Sequence, residues 1–357
     1  MKMNSEQTPM ATSKAAPTAG LADLRQGIDA VDRELLALLN RRAALSLQVG
    51  RLKAENSGPV FRPQREHEIL ERLARENPGP LPTTHIQSIW REIFSSSRTL
   101  QRPLGVAYLG PEGTHSYFAA AGFFGQQMTY QPCKDFREVF SAVAEGQCAL
   151  GVVPLENALH GTVGQCFDLF MEYKVFIQSE FLSRIQHCLL SIETTLDSVR
   201  TIYSHPQALA QCQRWLWQHA PHAALVSMAS TAAAARRCLV EPHTAAIGHS
   251  SLSALLSLPI VAYNLEDEAD NQTRFVVIGA APVETATANL TSVLFSLSNN
   301  PGSLAQILDL LARAGVNLRK LESRPLRAER WKYAFFADLE ATRPALAPVF
   351  EELRPFC

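Results

Sequence analysis

The tightest constraint on the fold lies in the first hundred residues. Leu24, Ile28, Val31, Leu35, Leu38, Leu45, Val49 and Leu52 recur in steps of three and four, with one beat skipped. That rhythm places them on one stripe of a long α-helix. A helix of about 35 residues is roughly 50 Å long. A single three-helix segment does not cover so long a stripe, so an intertwined dimer is expected. The residue at the skipped beat is Arg42. A buried cation without a partner is costly, so Arg42 requires an anion. Lys53 lies about three turns further along nearly the same face.

Gly58-Pro59 ends this helix, and Pro63 can open a second at its first turn. The second helix carries Ile69, Leu70 and Leu73, with Glu66 on the same side. Asn77-Pro-Gly-Pro80 breaks the chain again. A third helix carries Ile86, Ile89, Trp90, Ile93 and Phe94, and its stripe continues into Ser97 and Gln101. Polar groups on the inward stripes of all three helices predict one buried polar site. The same pattern also fits a scaffold arrangement in which Arg42 pairs with Glu66 while Ser97 and Gln101 lie near solvent.

From Leu104 the texture changes. Short β-type runs at 105–109, 149–153, 201–203, 245–247 and 274–278 alternate with helical stretches, an α/β pattern. Residues 281–288 read as a linker. The last region reads strand (291–297), turn (299–302), helix (304–314), strand (316–324), strand (331–339) and short helix. That order is one strand short of the ferredoxin-like βαββαβ unit. The expected division is a disordered tail over 1–20, rich in Ala, Thr, Ser and Pro, a helical domain over 21–102, an α/β domain over 104–281 and an α+β domain over 289–357.

A net charge of −1 gives no bulk pull toward nucleic acid or anionic lipid. No apolar run approaches the roughly 18 residues a membrane-spanning helix needs. The seven cysteines are odd in number, scattered and without a CxxC pair. Free thiols in a reducing cytoplasm are the expected state. No HExxH, Cys/His cluster or GxSxG elbow is present, so neither a metal, another cofactor nor a serine hydrolase is expected.

Gly110-Pro-Glu-Gly-Thr114-His-Ser116 follows a strand, and such a turn at a helix N-terminus can hold an anion or simply connect two elements. Four further segments stand out: Val152-Val-Pro154-Leu-Glu156-Asn157 with Gly161-Thr162, Tyr203-Ser204-His205-Pro206-Gln207, Ser230-Thr231, and Asn271-Gln-Thr273-Arg274-Phe275. His187 and His205 fit core or supporting positions better than a general acid.

These residues carry three resemblances. The run from Leu24 to Arg42, together with Val49-Gly-Arg-Leu-Lys53 and Phe61-Arg-Pro-Gln-Arg-Glu66, resembles the all-helical chorismate mutase family. The five motifs between Leu104 and Ala281 resemble prephenate dehydratase, whose fold is two α/β lobes similar to a periplasmic binding protein. Asn300-Pro-Gly-Ser-Leu304 and Leu321-Glu-Ser-Arg-Pro325 resemble the ACT regulatory domain.

The resemblance implies the following roles. Arg42 and Arg25 hold the two carboxylates of chorismate, Lys53 and Gln101 donate to its ether oxygen, Glu66 accepts from its hydroxyl, and Ser97 assists one carboxylate. Arg62 stands where many members carry Asp, and Arg65 reads as structural. Arg25 precedes Arg42 by roughly 25 Å along the axis, so it would serve the partner's site. Thr273 assists departure of the prephenate hydroxyl. Thr114, Ser116, Asn157, Thr162, Ser204 and Thr231 are candidate substrate binders, and Arg274 is an anion anchor or an ion-pair residue. Gly302, Ser303, Leu304, Leu321, Glu322 and Ser323 mark a phenylalanine site at paired ACT modules. The C-terminal module reads as shortened, from which weaker feedback is expected. The rival readings are a dehydratase with a silent mutase domain, and a non-enzymatic amino-acid-binding regulator.

Overall fold

The computed structural model describes residues 20–55, 60–283, 289–297, 300–326 and 332–354. Nearly all of the expected tail, the Gly58-Pro59 break, most of the second linker and Cys357 lie outside the described residues.

Helix α1 spans Leu21–Glu55, α2 Pro63–Glu76 and α3 Thr83–Gln101. Pro63 stands in the first turn of α2, where its missing N–H costs nothing. The apolar stripe of α1 lies in the open: Ile28 is 59% exposed, Leu38 61% and Leu52 59%. Within one chain α3 crosses α1 near Gly50, where a Cβ would come within 2.9 Å of the Gln101 backbone. The N-terminal part of α1, up to Arg41, is almost entirely uncovered.

The first α/β lobe begins with β1 Gly105–Leu109, α4 His115–Phe124, β2 Thr129–Cys133 and α5 Phe136–Ala144. It continues through β3 Leu150–Asn157, β4 Gly161–Thr162, α6 Gly164–Glu172 and β5 Phe176–Arg184. The chain then builds a second lobe from β6 Cys188–Leu190, β7 Thr201–Ser204, α7 Pro206–Gln211, α8 Gln213–His219, β8 Ala224–Ser227, α9 Thr231–Cys238, β9 Thr244–Gly248, α10 Leu252–Leu256 and β10 Ile260–Ala262. It returns as β11 Gln272–Gly279, antiparallel between β3 and β5. The sheet orders are β2-β1-β3-β11-β5, with β4 on β3, and β10-β6-β9-β7-β8. The central strands are buried on both faces, as at Val152, Val153, Val276 and Val277, which explains their continuous apolar runs.

The C-terminal module is β12 Thr291–Ser296, α11 Ser303–Arg313, β13 Leu318–Pro325, β14 Tyr333–Leu339 and α12 Arg343–Leu353, with sheet order β12-β14-β13. One sheet face packs Ala337 and Leu339 against Ile307, Leu311 and Leu346 of the helices. The other meets the first lobe, where the Phe336 ring lies 4.7 Å from that of Phe167. The fold is therefore an all-α unit, a two-lobed α/β unit and a small α+β unit. No helix among the described residues is long and apolar enough to cross a membrane. The six described cysteines are free and buried.

Three histidines meet between the lobes. His115 at the start of α4 contacts His187 and His249, with ring centroids 5.2 and 5.6 Å apart, and His249 stacks on Phe118 at 4.6 Å. Burial, reinforced by the mutual repulsion of the rings, lowers the His115 pKa well below its ordinary value and that of His249 to about 4. The unfolded chain therefore binds protons that the folded chain refuses. Stability is complete above the unfolded histidine value of about 6.5 and declines as pH falls below it. His249→Phe should remove part of that decline, about 2 kcal/mol near pH 4, read as a smaller loss of thermal midpoint between pH 7 and 4 than in the wild type. An unchanged decline would show that His249 does not carry it.

Candidate functional site

Two polar sites are built on this frame. In the helical unit, Arg42 of α1 donates to the Ser97 hydroxyl of α3 and lies 5.7 Å from the Phe94 ring centroid. Ser97 in turn donates to the Ile93 carbonyl at 2.7 Å, one helical turn back. Lys53 Nζ lies 3.2 Å from Gln101 Oε1 and 3.3 Å from the Val60 carbonyl. The structure thus gathers Arg42, Lys53, Glu66, Ser97 and Gln101.

Glu66 does not pair with Arg42, as the scaffold arrangement required. It pairs with Arg98, which is buried, also donates to the Phe124 carbonyl, and lies over the Phe61 and Phe124 rings. Sequence reading missed Arg98. The signal was there, because Arg98 lies four residues after Phe94 on the inward stripe of α3. Burial lowers the Arg42 pKa, and burial together with Arg62 lowers that of Lys53, with Glu66 opposing both. Burial also raises the Glu66 carboxyl against the pull of Arg98, Lys53 and Arg42. One carboxylate among several cations leaves a positive surplus suited to an anion. Arg62 is exposed at the start of α2, and Arg65 forms a surface ion pair with Glu68. Arg25 is exposed on the first third of α1 and is not brought into this cluster.

In the α/β unit, Asn157 ends β3 directly opposite Thr273 of β11. Asn157 Nδ2 donates to Thr273 Oγ1 and to Asn271 Oδ1, both at 2.9 Å. Its Oδ1 accepts from the Leu159 and His160 amides at 3.1 and 3.0 Å. Asn157 is thereby fixed in one amide orientation. Thr273, receiving a hydrogen bond on its oxygen, keeps its own proton for another acceptor.

Thr114 caps α4, accepting from the Tyr117 amide and donating to the Leu109 carbonyl at 3.0 Å. Ser116 lies in the first turn of that helix, and Thr231 opens α9 beside its cap Ser230. The turn before α4 lies along α9, where Arg236 donates to the Glu112 carbonyl at 3.0 Å. A Cβ on Gly113, whose φ is +89°, would come within 3.3 Å of the Ala232 Cβ. Each helix N-terminus favours negative charge. Ser204 is fully buried and donates to the Ile247 carbonyl at 2.7 Å, so it ties β7 to β9.

A cavity of about 260 Å³ opens beside this site, lined by His160, Gln211, Arg214, Glu266 and Asn271 among others. Gln211 joins His187 at 2.8 Å and His160 at 3.0 Å. Asn271 Nδ2 and His187 Nδ1 are buried without a hydrogen-bond partner among the described residues. Sequence reading assigned no role to Gln211 or Asn271. A polar residue on a six-residue helix leaves no periodic anomaly to notice.

Two candidates face elsewhere. Thr162 donates to Glu322 of the C-terminal module at 3.0 Å. Arg274 is held by Glu180 and Asp338, on the strand face opposite Thr273. The ion-pair role, rather than the anion anchor, is the one this geometry favours.

In the C-terminal module Gly302 caps α11 at a φ of +89°, and Ser303 opens that helix. Leu304 packs on the module core. Leu321 and Ser323 lie on the exposed face of β13, whereas Glu322 points to the dehydratase-like unit. No group of three or more metal-ligating side chains occurs among the described residues.

Comparison with known proteins gives three family matches: chorismate mutase type II over residues 24–102, prephenate dehydratase over 106–283 and the ACT domain over 291–347. The bifunctional chorismate mutase/prephenate dehydratase of Aquifex aeolicus is 38% identical over 324 residues, covering 90% of each chain. That of Pseudomonas aeruginosa is 39% identical over 341 residues, covering 93% of each. Among solved structures, prephenate dehydratase from Arthrobacter aurescens in complex with L-Phe superposes with a TM-score of 0.64 at 29% identity, over 71% of this chain and 86% of that one. A protein described as a novel type of quorum-quenching acylase gives the same TM-score at 32% identity, over 70% of this chain and 92% of that one. Similarity along almost the whole length, through all three units in the same order, makes this chain a member of the bifunctional chorismate mutase/prephenate dehydratase family.

Proposed function

We propose that this chain is a bifunctional enzyme of phenylalanine biosynthesis that rearranges chorismate to prephenate and converts prephenate to phenylpyruvate, under feedback by phenylalanine. The observation that carries the reading is the coexistence of two distinct polar sites: the cationic cluster around Arg42 and the fixed Asn157–Thr273 pair. A regulator that only binds an amino acid has no need of the first.

The rearrangement is unimolecular and needs no nucleophile. It needs the substrate held in a folded conformation and charge opposed at the breaking C–O bond. Arg42, with Ser97 fixing its guanidinium, takes one carboxylate. Lys53 and Gln101 face the ether oxygen, where negative charge grows. Glu66, locked by Arg98, receives the substrate hydroxyl. Arg25 completes the site of a second protomer, which also covers the open stripe of α1. Each leucine so buried, about half covered already, contributes roughly 1–1.5 kcal/mol. The active form is therefore a homodimer or a higher homo-oligomer, working in the cytoplasm without cofactor.

In the second site the starts of α4 and α9 receive the carboxylates of the dianion. The Thr273 proton is directed to the departing hydroxyl. As carbon dioxide leaves, its electron pair enters the ring, the hydroxyl departs as water, and the ring becomes aromatic. One proton is consumed, and the large driving force lets a weak acid serve.

Incubation of purified protein with chorismate should give prephenate and then phenylpyruvate, and phenylalanine should slow the second step. Prephenate that accumulates unchanged would remove the dehydratase reading, and unchanged chorismate the mutase reading. Thr273→Ala should lower phenylpyruvate formation by about 10²–10⁴-fold and spare chorismate consumption, whereas Thr273→Ser keeps part of the rate. Equal loss of both activities would contradict independent sites. Arg25→Ala and Arg42→Ala should each remove mutase activity, and an equal mixture should regain about one quarter of the wild-type rate through mixed dimers. A mixture as inactive as its parts would exclude sharing across protomers.

A further inference from the structure

Directly behind the Asn157–Thr273 pair stands a second pair. Glu156 and Arg274 are register partners on β3 and β11, one residue from Asn157 and Thr273. Alternate strand residues face opposite sides, so this pair looks away from the cleft and toward the C-terminal module. There, Lys320 of β13 and Asp338 of β14 are also register partners. The two pairs meet face to face. Lys320 Nζ lies 2.8 Å from Glu156 Oε2, and Arg274 Nη1 lies 2.6 Å from Asp338 Oδ2. The result is four charges of alternating sign on four strands.

The array is tightly held. Asp338 is fully buried and also accepts from Ser292 at 2.5 Å. Glu180 occupies the other side of the Arg274 guanidinium. Beside the array, Glu322 receives the Thr162 hydroxyl at 3.0 Å, and Arg324 lies 3.0 Å from Asp168 of α6. Lys320, Glu322 and Arg324 alternate along β13 with Leu321 and Ser323, which are exposed on the opposite face. A ligand resting on Leu321 and Ser323 therefore touches residues joined by single peptide bonds to those that grip β3 and β4.

We infer that the Glu156–Arg274/Lys320–Asp338 array is the element through which an effector on the C-terminal module acts on the dehydratase site. The inference rests on the reading above, in which phenylalanine binds that module and Thr273 serves the dehydration. Pulling one member of the buried Arg274–Asp338 pair away leaves an uncompensated charge, which is strongly unfavourable. The partly exposed Lys320–Glu156 pair adds a weaker tie. A shift of the paired strands β13 and β14 therefore draws Arg274 through Asp338 and Glu156 through Lys320. One residue on, it changes the hydrogen bond that aims the Thr273 hydroxyl. The effector drives this shift to the extent that it binds the two arrangements with different affinity.

The test uses the full-length chain with Lys320→Met, which keeps the aliphatic stem and removes the charge. Phenylalanine binding is measured by calorimetry, phenylpyruvate formation with and without phenylalanine, and chorismate consumption as the monitor of folding. The variant should bind phenylalanine and turn over prephenate much as the wild type does. The inhibition reached at saturating phenylalanine should fall by roughly fivefold or more, within the usual span of coupling between sites. If the methionine variant loses its mutase rate, the nearly isosteric Asp338→Asn, which breaks the other arm, is read in its place with the same expectation. Inhibition identical to wild type overturns the array while leaving the functional reading intact. Loss of binding together with inhibition also overturns it, since Lys320 would then belong to the effector site. A wild type that binds no phenylalanine removes the feedback part of the functional reading, and the array with it.

Discussion

The return of β11 into the first lobe is the interaction on which the rest of the α/β unit depends. A strand that starts more than a hundred residues after β3 ends inserts antiparallel between β3 and β5. That insertion closes the two-lobed path. It brings Thr273 against Asn157 on one sheet face and sets Arg274 beside Glu156 on the other. The chemistry of the cleft and the junction with the C-terminal module are therefore consequences of a single register. A slip of one residue would exchange the two faces, sending the threonine to the interface and the arginine into the cleft. Arg274, bound by two carboxylates, resists that slip, because moving it would strand Asp338 in the interior.

The helical unit answers a different demand. Its site is cationic, and the positive charges are kept apart by structure. Arg42 leans on Ser97 and the Phe94 ring, Lys53 on Gln101 and a carbonyl, and Arg98 takes the one shared carboxylate. Burial lowers the Arg42 pKa, and burial together with Arg62 lowers that of Lys53. An anion bound among these cations offsets that desolvation. The same helix leaves its leucines uncovered, so the surface that completes the fold and the arginine that completes the site lie on one element.

Much of this was legible in the amino-acid order, and what was not has identifiable causes. The long stripe of α1 and the anomaly at Arg42 are visible because a helical period of many turns leaves no room for coincidence. Strands β1, β3, β7, β9 and β11 announce themselves as apolar runs because both faces are buried. Strands β4, β6 and β10 have two or three residues each, too few for any period, and no residue of β5 is fully buried. At the sites, motif reading grouped neighbours that geometry separates. Thr273 and Arg274 are adjacent in sequence and opposite in space, as are Glu322 and Leu321. Strand alternation alone would have divided them. Gln211 and Asn271 reach the cleft through tertiary packing that no local pattern encodes.

The contrast between the two sites bears on where control can act. The rearrangement is driven by a fixed field of charges, and such a field changes little when a helix moves by a fraction of an ångström, because Coulomb energy falls slowly with distance. Dehydration driven by aromatisation asks less of its catalyst, a single hydroxyl aimed along one line. Hydrogen bonds weaken steeply with misalignment, so that site is sensitive to small rotations of the strands that carry it. Control exerted through strand geometry therefore belongs behind β3 and β11 rather than beside the helices. The C-terminal sheet lies against those two strands, with its own charges matched to theirs one for one.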